Sequence, residues 1–156
     1  MPGDVAANLF DLSKPAISFA ENVRDHIPSR GSLIYTVWNR SDTYIYVGIA
    51  GLQKDISKRS PLSRMVSHAS GVRSGDQFCV YIHDFYVIPD LVQRGVYEPS
   101  KGLLDKKTKQ YIHDHLFYRF VTFEGADSDR VVRDLENELK RGGYGFPPPV
   151  LNGVAT

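Results

Sequence analysis

The chain has 156 residues, 42% of them hydrophobic and 24% charged, with a formal net charge of +1; this is the balance of one soluble globular domain, large enough to bury a core unaided. Its single cysteine, Cys79, excludes an internal disulfide framework and a cysteine-based zinc site. No apolar run approaches the ~20 residues of a membrane span, and no basic-then-apolar pattern opens the chain, so a cytoplasmic protein without a membrane partner is expected.

Residues 1 to 14 are small and polar and read as a loose lead-in. Ser13 and Pro15 are helix-entry signals, so a helix is predicted over 15 to 26, with Ile17, Phe19, Ala20 and Val23 as its buried stripe. On this reading residues 1 to 30 are an extension, 31 to 152 the main domain, and 153 to 156 a tail. Ser32 to Trp38 and Tyr44 to Ile49 are aromatic and β-branched, and the turn-rich Asn39-Arg40-Ser41-Asp42 between them predicts a β-hairpin. Ser60-Pro61 opens a helix running to about Ala69, and Gly71 is placed to end it. Phe78 to Ile88, apolar on both faces, reads as the strongest strand and a central one, closed by Pro89.

Pro89 to Leu104, with Pro99, looks like an excursion off the core. Asp105 to Tyr118 has helical character, and Phe117 to Phe123 alternates like a strand. Asp127 or Ser128 caps a last helix to Lys140, whose stripe is Val131, Val132, Leu135 and Leu139. Gly142-Gly143 stops it, and Pro147 to Pro149 favour an extended tail. The expected fold class is mixed α+β: a small, mostly antiparallel sheet from Ser32 to Trp38, Tyr44 to Ile49 and Phe78 to Ile88, flanked by helices.

A charge of +1 is low for a nucleic-acid binder, but its distribution matters more. Lys54, Lys58, Arg59, Arg64 and Arg73 crowd one stretch, and Lys101, Lys106, Lys107 and Lys109 another, while acids concentrate between Glu124 and Glu138. The two basic clusters could form a phosphate-facing side, although solvated charge runs have the same composition.

Several residues carry chemistry. Tyr35 and Tyr46 fall on neighbouring strands, so two phenols can converge. Gly48, inside a strand, marks close approach by another group. Arg64 and His68 are four apart and share a helical face; a guanidinium fork binds two phosphate oxygens, and an imidazole titrating near neutrality can take a proton. Glu136 and Glu138 flank the last helix's stripe at similar angles, which leaves the choice between them open. His113 and His115 point to different sides of a helix, which argues against joint metal ligation. His83 reads as a core or edge histidine in an apolar strand.

In order, Leu33-Ile34-Tyr35, Tyr46-Val47-Gly48, the Arg64-x-x-x-His68 pair, Leu135-Glu136-Asn137-Glu138-Leu139 and Pro149-Val150-Leu151-Asn152 resemble the GIY-YIG nuclease family, which cuts DNA phosphodiesters with one divalent metal. The resemblance covers roughly residues 31 to 152. Leu33 stands where glycine is usual, and the second tripeptide differs by one Ile-to-Val change. The family's arginine usually follows that tripeptide closely, a spacing Arg59 fits better. The Arg-x-x-x-His form resembles the restriction-endonuclease branch and favours Arg64. The family's Leu-Glu-x-x-Leu pattern aligns Glu136 as ligand to one Mg²⁺ (or Mn²⁺). The interval from Glu136 to Asn152 is a few residues longer than usual.

The resemblance implies one-step, metal-dependent hydrolysis of DNA. Tyr35 and His68 would activate water, Arg64 and Tyr46 hold the phosphate, Glu136 bind the ion, and Asn152 position the tail. A restriction-type homodimer is expected, because two one-site subunits most easily make a double-strand cut. The segment from Pro89 to Leu104 and the lysines at 101 to 109 are candidates for DNA recognition. The alternatives are a repair or mobile-element nuclease taking nicked or branched DNA, a non-catalytic DNA-binding module, and a catalytic subunit directed by a partner protein.

Overall fold

The computed structural model describes residues 2–96 and 101–154. In chain order its elements are α1 (Pro2–Leu9), β1 (Ile17–Ser18), β2 (Ser32–Asn39), β3 (Tyr44–Ala50), α2 (Leu62–Ser70), α3 (Gln77–Ile82), a π-helical turn (His83–Val87), α4 (Ile88–Gln93), α5 (Lys101–His115), β4 (Leu116–Phe123) and α6 (Ser128–Lys140). The fold is mixed α+β, with a four-stranded antiparallel sheet in the order β1-β4-β2-β3 and helices on both faces.

The hairpin forms where the sequence predicts it. The Asn39 side chain accepts from the backbone N–H of Ser41 (2.9 Å) and Thr43 (3.0 Å), and Asp42 takes the left-handed conformation (φ 56°), a turn role suited to Asn and Asp. β2 lies between β3 and β4, so both of its edges are paired, and the two cores bury both of its faces. Strand alternation divides it. Leu33, Tyr35 and Val37 join the core formed with α2, α3, α4 and α5, while Ile34 and Trp38 join the core under α1 and α6. The C-terminal segment covers the outer edge of β3: the N–H groups of Val150 and Leu151 donate to Tyr44 O (3.3 Å) and Ile45 O (2.8 Å), which leaves less edge free to pair with another chain.

Several sequence expectations are overturned. Phe78 to Ile88 is helical, not a strand, and the central position belongs to β2 with β4 beside it. Asp76 caps α3, its side chain accepting from Cys79 N–H at 3.0 Å. The buried positions Phe78, Cys79, Ile82, Val87 and Leu91 follow a helical repeat with one extra residue, absorbed by the π turn. That extra residue, with the aromatic and β-branched composition, made the run look like an all-apolar strand. Pro89 sits in the first turn of α4, where it is tolerated, and does not end the element.

Near the N-terminus the helix lies at Pro2–Leu9, not at 15 to 26. Ala6 and Leu9 are wholly buried, so this segment is no loose lead-in. In the 15 to 26 stretch, Ser18 Oγ accepts from Ala20 N–H and Asn22 Oδ1 from Arg24 N–H, both at 3.0 Å; such local bonds compete with a helix. Ile17 and Ser18 pair with Tyr118 and Phe117 instead. Phe19 and Val23 are buried as predicted, but Ala20 is exposed. The excursion expected from Pro89 to Leu104 is helical at both ends, and Pro99 lies outside the described residues. Among the described residues, no helix is long and apolar enough to cross a membrane.

Because Leu9 is 0% exposed against the Trp38 side of the sheet, Leu9→Ala is expected to cost about 2–5 kcal/mol. Urea unfolding followed by fluorescence of Trp38, the sole tryptophan, measures it.

Candidate active site

Tyr35 on β2 lies opposite Gly48 on β3. A Cβ at residue 48 would sit 2.2 Å from Tyr35 Oη and 2.4 Å from Cζ, so the phenol crosses β3 only because glycine is there. On the far side the Tyr35 hydroxyl hydrogen-bonds His68 Nε2 on α2. His68 Nδ1 lies 2.7 Å from Asp76 Oδ2, and Ser67 Oγ donates to the same oxygen at 2.7 Å. Asp76 Oδ1 takes the Cys79 N–H that caps α3. An ionised carboxylate only accepts, so the His68 proton resides on Nδ1 and Nε2 is left to accept from the Tyr35 hydroxyl.

All three side chains are buried: Tyr35 is 0% exposed, His68 1% and Asp76 6%. Burial pushes Tyr35 well above the ordinary phenol range, with Tyr46 adding to the effect. Burial lowers the His68 pKa against the opposing effect of its hydrogen bond to Asp76, which keeps the imidazole neutral. Burial resists the charge on Asp76, but hydrogen bonds from His68, Ser67 and the Cys79 amide outweigh it and hold the carboxyl at about 2.

In front of this buried chain is a cleft of about 600 Å³, lined among others by Tyr46, Gly48, Arg64, Asp76, Arg133 and Glu136. It sits at the edge of the sheet, where α2 from one helical layer and α6 from the other meet β3. Tyr46 packs 6.3 Å from the Tyr35 ring and 6.2 Å from His68, and burial raises its pKa, so its phenol stays protonated. Arg64 is exposed in the cleft wall and, among the described residues, makes no hydrogen bond or ion pair. Glu136 Oε1 lies 3.0 Å from Lys140 Nζ, one helical turn on.

The structure separates the residues the sequence left paired. Glu136 lines the cleft; Glu138 does not, and stands exposed 3.8 Å from Arg141. Arg64 lines the cleft, whereas Arg59 is buried in structural bonds: Nε donates to Gln53 O (2.9 Å) and Nη1 to Ser128 Oγ (3.0 Å). Arg73 is likewise committed, to Asp105 at 3.1 Å. Asn152 joins the set through β3, its Nδ2 donating to Val47 O (2.6 Å) and its Oδ1 accepting from Val47 N–H (3.1 Å). Tyr35 and His68 adjoin the cleft without lining it, behind Gly48.

The remaining histidines are scattered. His83 is buried on the π turn with Nδ1 2.6 Å from Asp84, His113 Nε2 donates to Ala69 O at 2.8 Å, and His115 packs on Tyr111.

Two site residues escaped the sequence reading. Asp76 was legible only as the N-cap of a helix that reads as a strand. Arg133, one turn before Glu136 and lining the same cleft, is exposed, and its i, i+3 spacing from Glu136 is the one signal the sequence carries for it. No family model, curated protein or solved structure matches this chain.

Two outcomes follow from this geometry. Gly48→Ala must displace Tyr35 from His68, at an overpacking cost of about 1–3 kcal/mol, read by thermal or urea unfolding. Asp76 has a folded pKa of about 2 against an ordinary 3.8, so it stabilises the fold above pH ~4, and that contribution is lost as pH falls from ~4 toward ~2. Stability measured across this window should fall less steeply in Asp76→Asn than in the wild type.

Proposed function

We propose that the protein is a Mg²⁺-dependent endonuclease of the GIY-YIG type, hydrolysing DNA phosphodiester bonds in one step. The observation that carries this reading is the convergence of Tyr46 from β3, Arg64 from α2 and Glu136 from α6 on one cleft, with the Tyr35–His68 pair directly behind it. These are the side chains that the resemblance selects, and the fold brings them together from distant parts of the sequence.

The scissile phosphate sits against Arg64, whose unpaired guanidinium takes two non-bridging oxygens, and the protonated Tyr46 hydroxyl donates to one of them. Glu136 offers a hard carboxylate oxygen in an open, polar cleft and would hold Mg²⁺ or Mn²⁺, ions that keep several waters. When bound, the ion offsets charge on the phosphate and the leaving oxygen.

The attacking water gives its proton to Tyr35 Oη as the Tyr35 proton passes to His68 Nε2. The water oxygen bonds to phosphorus, the bond to the 3′ oxygen breaks, and that oxygen takes a proton from solvent. Tyr35 is 0% exposed behind Gly48, so its hydroxyl is shielded from the cleft in this structure. The same burial favours a second reading, a DNA-binding module without catalysis. The restriction-type role and the homodimer rest on the Arg-x-x-x-His form and on the logic of double-strand cutting.

Incubation with supercoiled plasmid and short duplexes, in Mg²⁺ or EDTA, tests the proposal. Cleavage is expected in Mg²⁺ alone. Arg64→Ala should slow it about 100-fold or more, Glu136→Ala should abolish it while DNA still shifts on a gel, and Glu138→Ala should cut as the wild type does. Discrete fragments support a restriction activity. A wild type that shifts DNA but leaves every substrate intact establishes the binding module instead.

A further inference from the structure

We propose that Asp76 is the positioning residue of a buried Tyr35–His68–Asp76 relay that readies the phenol for water activation; this rests on the nuclease reading above. A helix cap needs a single acceptor oxygen, and Asp76 Oδ1 fills that need at Cys79 N–H. A serine would serve as well. The second oxygen is spent elsewhere, on His68 Nδ1 and on Ser67 Oγ, each at 2.7 Å. A carboxylate 6% exposed is costly to bury for capping alone.

The second oxygen fixes the tautomer. With Nδ1–H donated to Asp76, the lone pair of His68 Nε2 faces the Tyr35 hydroxyl. In the reaction the Tyr35 O–H bond breaks and a His68 Nε2–H bond forms, while Tyr35 Oη receives the proton of the attacking water. Asp76 takes no proton. It stays ionised 2.7 Å from the imidazolium and offsets the charge that appears there. The proton returns to solvent through Tyr35 once product leaves. Ser67 and the Cys79 amide hold the carboxylate in place, so the relay is fixed at its Asp76 end.

Asp76→Asn keeps the shape and the capping oxygen, but its amide N–H₂ faces His68 Nδ1 and drives the imidazole proton to Nε2. That tautomer donates to Tyr35 and cannot accept from it. Cleavage is expected to fall on the order of 10³-fold, with DNA affinity unchanged in Ca²⁺. ¹⁵N NMR of the histidine ring should find the proton on Nδ1 in the wild type and on Nε2 in the variant, a readout that a purely structural role would not link to activity. Asp76→Ser, which keeps the cap and lacks the second oxygen, is expected to lose activity similarly and serves if Asp76→Asn does not fold.

A wild type that cuts, with either folded variant cutting as fast, overturns the relay and spares the nuclease reading. A wild-type His68 carrying its proton on Nε2 also overturns the relay alone. A wild type that cuts nothing overturns both.

Discussion

The site depends on a side chain that is absent. Residue 48 must lack a Cβ for the Tyr35 ring to lie across β3, and everything beyond that ring follows from where its hydroxyl ends. The hydroxyl meets His68, which fixes the rotation of α2 against the sheet; His68 meets Asp76, which begins α3. One close backbone–ring approach and the buried polar chain behind it therefore tie four consecutive elements, β2, β3, α2 and α3. Such a chain is stable only when each member is satisfied. Here the phenol, both ring nitrogens and both carboxylate oxygens have partners.

A second polar network sets the opposite wall. Ser128 Oγ, at the start of α6, lies 3.0 Å from both Arg59 Nη1 and Ser32 Oγ, and Ser32 in turn donates to Gly51 O at 2.7 Å. The start of β2, the loop leaving β3 and the first turn of α6 are thereby locked together. Asn152 grips the backbone of Val47 between Tyr46 and Gly48, holding β3 from its outer edge. The cleft is the gap left where these two anchored layers meet the edge of the sheet. Of the charged residues that line it, neither network uses Arg64, Arg133 or Glu136: the two arginines are exposed, and Glu136 shares one oxygen with Lys140.

Much of this was legible in the chain wherever local and tertiary preferences agree. The β2–β3 hairpin announces itself through Asn39 to Asp42, α2 through Pro61 and Gly71, and α6 through a clean apolar stripe. Gly48 is legible as a close approach, though not what approaches it. The failures share a cause: a local pattern that another constraint outweighs. The π turn adds a residue to the Phe78–Leu91 stripe, which blurs the helical period and lets β-branched composition dominate. Once that helix is read as a strand, Asp76 has nothing to cap and drops from view. Glu136 and Glu138, like Arg59 and Arg64, differ only in which partners the fold supplies, and no spacing argument distinguishes them.

The burial of Tyr35 bears directly on how the two phenols divide their work. A phenol whose pKa is driven up by burial is a poor resident base, because it does not lose its proton to bulk solvent. It can still pass a proton to an adjacent acceptor held neutral for the purpose, and burial also lowers His68. The same desolvation thus disfavours charge on both partners at rest and makes them a matched neutral pair. In the proposed reaction charge appears on His68 only with an attacking water, and Asp76, the fixed anion 2.7 Å away, offsets it. Tyr46 lines the cleft with its proton retained, and in the proposed reaction it donates to a phosphate and does not accept from a water. A sequence pattern of two tyrosines becomes, in the fold, one phenol buried against His68 and one that lines the cleft; in the proposed reaction the first relays a proton and the second holds the phosphate.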